Sequence, residues 1–204
     1  MVRRRRSLAD DSGAVLIEGL LVVPILMLVM AAMVELGFLM FQWNQTVKAM
    51  QIGARQLAVS DPILANLDAF AEDLGDIDAG RPMPAAIVTV SCGAGAAACD
   101  ADGMGRLIEG SDGVCDPDLA GSVSGMCDFF PVISADNVRV TYERAGLGYV
   151  GRPAGPVLTI RVESVGLTFD FLMLDALIGA NVITMPAHAV TITSEDLSSV
   201  GTPP

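Results

Sequence analysis

The chain has 204 residues, room for one or two domains, with 52% hydrophobic side chains and a mean hydropathy of +0.54. Its net charge is -12; residues 1–13 hold four of the 12 basic and two of the 24 acidic side chains, which leaves -14 for the remainder. So acidic a body repels phosphate backbones, which excludes nucleic acid as a partner.

The apolar excess is concentrated between Ala14 and Phe41. Gly19 to Val34 is free of charge, and as a helix those residues cover about 24 Å, short of a hydrocarbon core near 30 Å. A span must therefore reach Glu18 on one side or Glu35 on the other. We place it at about Ala14 to Met33, or slightly later, with Phe38, Phe41 and Trp43 as an aromatic belt on the far side. Arg3 to Arg6 precede the span, while only Lys48 and Arg55 follow closely. The positive-inside rule then puts the N-terminus in the cytoplasm and the rest outside, in a single-pass protein whose first partner is the lipid bilayer.

Helical spacing continues past the apolar run. Trp43, Val47, Met50, Ala54 and Leu57 recur at steps of three and four, until Asp61-Pro62 stops the pattern. One long helix is predicted over about 14–60, with a bend or local disruption near Pro24. Its first half is apolar on all sides and its second half is amphipathic.

Glu18 admits three readings. It is an interfacial carboxylate reaching to headgroups, or part of a secretory signal peptide cut after Val29-Met30-Ala31, or part of a prepilin-type processing site. The third rests on Ser-Gly-Ala-Val-Leu-Ile-Glu, with a glycine five positions before the acid. This resembles the site cut by prepilin peptidases, in which cleavage follows the glycine. The resemblance implies a cut between Gly13 and Ala14, a prepilin peptidase as partner, and Glu18 as fifth residue of the mature chain. A freed ammonium on Ala14 and the Glu18 carboxylate of a neighbouring subunit would then pair in lipid and fix the axial register between subunits. Gly19 departs from the pattern, which often carries an aromatic residue after the acid.

Glu35-Leu36-Gly37 and Gly53-Ala54-Arg55 extend the likeness: over about residues 12–60 the chain resembles the TadE-like family, pseudopilins of the tight-adherence (Tad, or Flp) pilus. That resemblance implies an inner-membrane protein that assists pilus assembly, with other Tad pilins or pseudopilins and the inner-membrane assembly platform as partners. Incorporation into a surface pilus stays open. The length suits a TadE- or TadF-type protein and is too short for the longer TadG-type. Glu35 either faces water at the outer boundary or makes a polar contact with a partner helix, and Gly37 and Gly53 permit close helix approach. The alternative to an assembly component is a generic anchored periplasmic binding module whose helix only tethers it.

After Pro62, Leu64, Leu67, Phe70, Ala71 and Leu74 predict a short amphipathic helix, and AAIVTVSC alternates as a strand. Residues 93–131, rich in Gly, Asp and Cys, read as a long loop or inserted excursion. Further strands are expected at Asn137 to Glu143, Val157 to Ser164 and Ala187 to Thr193, the last beginning as early as Val182 with an interruption at Pro186. LTFDFLMLDALIG between the final two reads as a short helix or apolar loop covering the sheet. Leu167 to Ile178 is too short for a second span and is interrupted by Asp170 and Asp175.

Cys92, Cys99, Cys115 and Cys127 all fall on the oxidising side and allow three disulfide pairings; the local pairing, Cys92–Cys99 and Cys115–Cys127, closes short loops. Their C-x6-C-x15-C-x11-C spacing lacks the close pair of a zinc site. Asp100, Asp102, Glu109 and Asp112 depart from a calcium-loop spacing and read as a solvated loop. His188, the lone histidine, sits in a strand pattern. No catalytic motif, metal or cofactor is expected. The resulting organisation is a basic leader over 1–13, a long helix over 14–60 and a periplasmic α+β domain over 61–204. In the last, a small antiparallel sheet packs on the long helix in a pilin-like manner, with a disulfide-bearing loop region.

Overall fold

A computed structural model describes residues 12–116, 118, 123–153, 155–171, 173 and 182–194, without the side chains of residues 12, 14, 15, 170 and 182. The basic leader cluster, Asp175 and most of the apolar stretch 172–181 lie outside the described residues. The fold is α+β, with a long N-terminal helix, an antiparallel sheet and two disulfides.

Helix α1 runs Ser12–Ala58, and its assignment is unbroken through Pro24. The local disruption expected there does not occur: proline removes one donor from one turn, while the remaining ladder bonds on both sides hold the helix. Beyond residue 40 the helix grows an apolar stripe. Thr46, Ala49, Met50, Gly53, Ala54, Leu57 and Ala58 are buried at steps of three and four, which defines one core-facing side. Thr46 satisfies its hydroxyl by donating to the Gln42 carbonyl one turn back, at 3.0 Å.

The amphipathic helix expected near 64–74 is replaced by a short 3-10 segment, Asp68–Phe70, followed by turns. Asn66 explains the change. Its Oδ1 accepts from the Asp68 N–H at 2.6 Å, and the next donors, on Phe70, Ala71, Leu74 and Ile77, all reach back three residues.

The main sheet has the order β1 (Val88–Gly93), β2 (Val138–Arg144), β3 (Thr159–Ser164) and an edge strand Ala189–Thr193, each pair antiparallel. Two rows of facing residues cross all four strands on one side: Cys92, Val140, Val162 and Val190, then Val90, Tyr142, Ile160 and Ile192. The opposite face is polar. Ser91 and Thr141 share a hydrogen bond at 2.8 Å, and Glu163 takes Arg139 and Arg161, each at 3.2 Å. Period-two alternation thus assigns one face to the core and one to water.

Residues 93–131 are not a plain loop. Helix α2, Ala101–Glu109, lies inside them, capped by Asp100, whose carboxylate accepts from the Gly103 N–H at 2.7 Å. Met104, Leu107 and Ile108 form its buried side. Gly103 and Gly105 hide this helix in the sequence, and Gly103 is required by packing: a Cβ there would come within 2.5 Å of Ile63. Met126 and Leu107 fill the space over Gly53 of α1 in the same way. The apolar stretch after β3 begins as β4 (Thr168–Asp170), which pairs with β5 (Val182–Thr184); the edge strand of the main sheet is therefore β6.

Contacts divide the chain into two compact units. One comprises residues 1–40 with 170–182, and the other residues 41–169 with 183–204.

Candidate membrane and assembly helix

The first half of α1 carries its apolar side chains outward on every side. From Leu16, 75% exposed, through Met27, 69% exposed, to Val34, no large hydrophobic residue is buried. By contrast Met50, in the second half, is fully buried. A run of this length and composition is long and apolar enough to cross a bilayer, and none of its most hydrophobic window is covered by the rest of the chain.

Gly13 is exposed within the first turn of α1, and no atom lies within 4 Å of where a Cβ would stand. The Ala14 backbone is helical. Glu18 is exposed one turn further on, and among the described residues it has neither an ion-pair nor a hydrogen-bond partner. The carboxylate therefore projects from the apolar surface, open to a partner outside the chain.

Glu35 is different. It is 1% exposed, and its Oε2 accepts the Met173 backbone N–H at 2.9 Å. The expectation that it faces water is thus corrected: the carboxylate is turned inward, where a peptide donor satisfies part of its hydrogen-bonding need. A contact from position 173 back to position 35 leaves no trace in local spacing, so sequence reasoning missed it. Gly37, beside it in sequence, is exposed and has open space around its Cβ position.

The four cysteines form Cys92–Cys99 and Cys115–Cys127, with Cα atoms 5.0 Å and 5.2 Å apart. These are ordinary disulfide separations, and the thiolates a zinc site needs are consumed. Cys92 and Cys127 are buried. The first bridge sits at the end of β1, where the Gly93 N–H bonds the Ala97 carbonyl at 2.8 Å; the second ties the chain after α2 to the segment that packs on α1. Among the described residues no group of three or more His, Cys, Asp or Glu is placed to hold a metal ion. Of the acidic set, Asp100 caps α2 and Asp112 accepts from the Val114 N–H at 3.2 Å. His188 packs edge-on against Trp43, with ring centroids 5.9 Å apart.

Two buried polar devices also escaped the sequence reading. The Arg144 side chain, fully buried at the end of β2, donates to both oxygens of the exposed Asp73, at 2.6 Å and 2.5 Å, and to the Phe70 carbonyl at 2.7 Å. Hydrogen bonding from Arg144 holds the Asp73 carboxyl below its usual range. Arginine at the end of an alternating strand, in phase with Val138, Val140 and Tyr142, was the available signal. The Tyr142 hydroxyl accepts the Ile63 N–H at 3.1 Å, just beyond the end of α1. Burial pushes this phenol up to about 12.

Searches of curated proteins and of solved structures returned no match to the chain. Residues 13–55 match the protein family described as TadE-like protein, over a stretch that falls inside α1.

Proposed function

Because residues 13–55 match the TadE-like family, we propose that the chain is a membrane-anchored, pseudopilin-like component of tight-adherence pilus assembly. The observation that carries this reading is the coincidence of the family match with a helix whose most hydrophobic window has no buried residue. A tether needs an apolar span and nothing more. This span also carries an outward carboxylate four residues after Ala14, and such a group has a use where helices stack against one another.

The reading runs as follows. The N-terminus is cytoplasmic, the span occupies the inner membrane, and the sheet-bearing portion is periplasmic, where its disulfides persist. A prepilin peptidase cuts after Gly13, and Ala14 becomes the mature N-terminus. Its ammonium pairs with Glu18 of an adjacent pilin or pseudopilin helix. Both groups lie in a poorly solvated region, so the pair selects register more than it adds affinity. Assembly with other Tad subunits and the inner-membrane platform follows from the same helix. The role assigned to the chain is structural rather than catalytic.

A Glu18→Ala substitution tests the register role. Membrane insertion should be retained, because an apolar side chain replaces a charge in the span, while recovery of the protein with other Tad subunits and piliation should fall. Unchanged piliation with Glu18→Ala would remove the pairing from the account.

A further inference from the structure

We propose that the outer edge of β6 docks against the outer edge of β1 in a second copy of this chain, so that the four-stranded sheets of successive copies join edge to edge. The inference rests on the sheet alone and stands apart from the reading of α1 as a span.

Charge is where this sheet departs from the ordinary pattern. A sheet that must stay single guards its outer strands with charged side chains, because their unpaired backbone groups invite another strand. Here the inner strands β2 and β3 carry five charges, Arg139, Glu143, Arg144, Arg161 and Glu163, and the outer strands β1 and β6 carry none. Around β1 the chain holds no Asp, Glu, Lys or Arg from Pro82 to Cys99, and around β6 none from Val182 to Ser194. In a chain of net charge -12, these are places where two copies can approach without like charges meeting.

Backbone direction leaves both edges open. The Gly93 N–H turns away from β2 to the Ala97 carbonyl, so by alternation Thr89 and Ser91 also point their N–H and C=O groups outward. On β6 the His188 carbonyl accepts from the Ser164 N–H and the Ser194 N–H donates to the Leu158 carbonyl, which leaves Ala189, Thr191 and Thr193 pointing outward. Among the described residues, the N–H groups of Thr89, Ser91, Thr191 and Thr193 have no hydrogen-bond partner. β1 and β6 are the two ends of an even-stranded antiparallel sheet, so they run in opposite directions. β6 of one copy therefore meets β1 of the next as an antiparallel pair when the strand order simply continues.

The apolar rows set the register. They end half-buried, at Val90 on β1 and at Val190 and Ile192 on β6, while Val140, Tyr142, Ile160 and Val162 between them are buried. Carrying the rows straight across sets Ile192 beside Val90 of the next copy, Thr191 opposite Ser91 and Thr193 opposite Thr89. The last two are hydroxyl pairs on the polar face, like the Ser91–Thr141 pair at 2.8 Å within the sheet. The occupant is a second copy because this chain carries both halves of the joint, uncharged, opposite in direction and matched in row. Such a joint is head-to-tail and leaves one edge free at each end for a further copy.

The test co-expresses two tagged versions of the full chain, one with Thr89→Cys and one with Thr193→Cys, and oxidises the cells mildly. The native cysteines are already paired, and both new positions are exposed. Facing residues of a hydrogen-bonded antiparallel pair have Cα atoms about 5.5 Å apart, within reach of a disulfide. The expected product is a dimer carrying both tags, lost when Val132→Cys, another exposed position, replaces Thr89→Cys. Thr191→Pro, added to the Thr193→Cys chain, removes an N–H that points away from β3 and should abolish the dimer while the thermal melt of the chain is kept. Thr191→Lys, which guards the edge by charge, should abolish it too and serves if proline unsettles the strand. Absence of the mixed dimer, or an equal yield with Val132→Cys, overturns the proposal. Thr193→Cys linking to itself or to a different protein in place of Thr89→Cys gives the β6 edge another partner and overturns it as well. A mixed dimer that survives the substitutions at Thr191 is no edge joint, with the same consequence.

Discussion

Residues 16–34 and residues 46–58 belong to one helix yet bury their apolar side chains in opposite ways. In the first segment the large hydrophobic residues stand exposed, and none of its most hydrophobic window is buried. In the second they converge on a single stripe that meets Leu107 and Met126. The difference teaches where each half obtains its stability. The second half is held by packing inside the protein; the first needs lipid or other helices. Amphipathicity therefore marks the stretch of the helix that belongs to the folded domain, and its loss marks the stretch left for a partner.

Substitutions sharpen this contrast. Leu57→Ala should cost ~2–5 kcal/mol in the unfolding of the sheet-bearing unit, because it opens a cavity in a closed core. Leu26→Ala should change that unfolding by less than ~0.5 kcal/mol, since its side chain is exposed. Urea denaturation in micelles, followed through Trp43 on its His188 contact, measures both. Equal effects at the two positions would break the comparison.

Gly53→Val should come next, at ~1–3 kcal/mol, because its Cβ would meet the Met126 sulfur at 2.6 Å. The same substitution at Gly37, which has open space, should leave unfolding almost unchanged. Tyr142→Phe should cost ~1–2 kcal/mol by stranding the Ile63 N–H. The folded phenol titrates above its ordinary 10.0, near 12, so its contribution is complete below pH 10.0 and is lost as pH rises toward 12. Absorbance of tyrosinate against pH should show this late step in the wild type and not in Tyr142→Phe.

The smallest effect is expected at Asp73. Its folded value lies below the ordinary 3.8, so its contribution is present above 3.8 and is lost as pH falls through the folded value. Asp73→Asn should be slightly less stable than wild type at neutral pH, and the two should converge in strong acid. Thermal melts of both proteins at matched pH decide it.

Much of this architecture was legible because it is periodic. Alternation located β1, β2, β3 and β6 within a few residues, and steps of three and four located the core side of α1 through Met50, Ala54 and Leu57. The local disulfide pairing was expected from the short loops it closes. What escaped depends on contacts distant in sequence or on exceptions to propensity. Gly103 and Gly105 made α2 look like a loop, although Gly103 is there to admit Ile63. Asn66 diverted an amphipathic pattern into 3-10 turns by capturing the Asp68 N–H. Glu35 looked like a boundary residue because its Met173 partner lies far along the chain, and Arg144 looked like an ordinary strand charge until Asp73 and the Phe70 carbonyl closed around it. The candidate site divides in the same way. Gly13 and Glu18 were visible as a motif, whereas the inward turn of Glu35 required the fold.

The central claim is that the arginine-bearing leader is removed so that a new terminal ammonium can meet Glu18. The most direct measurement is the N-terminal mass of the chain purified from membranes of cells that assemble pili. The account requires a chain beginning at Ala14; a chain that still begins at Met1, or one that begins at Ala32, would contradict it.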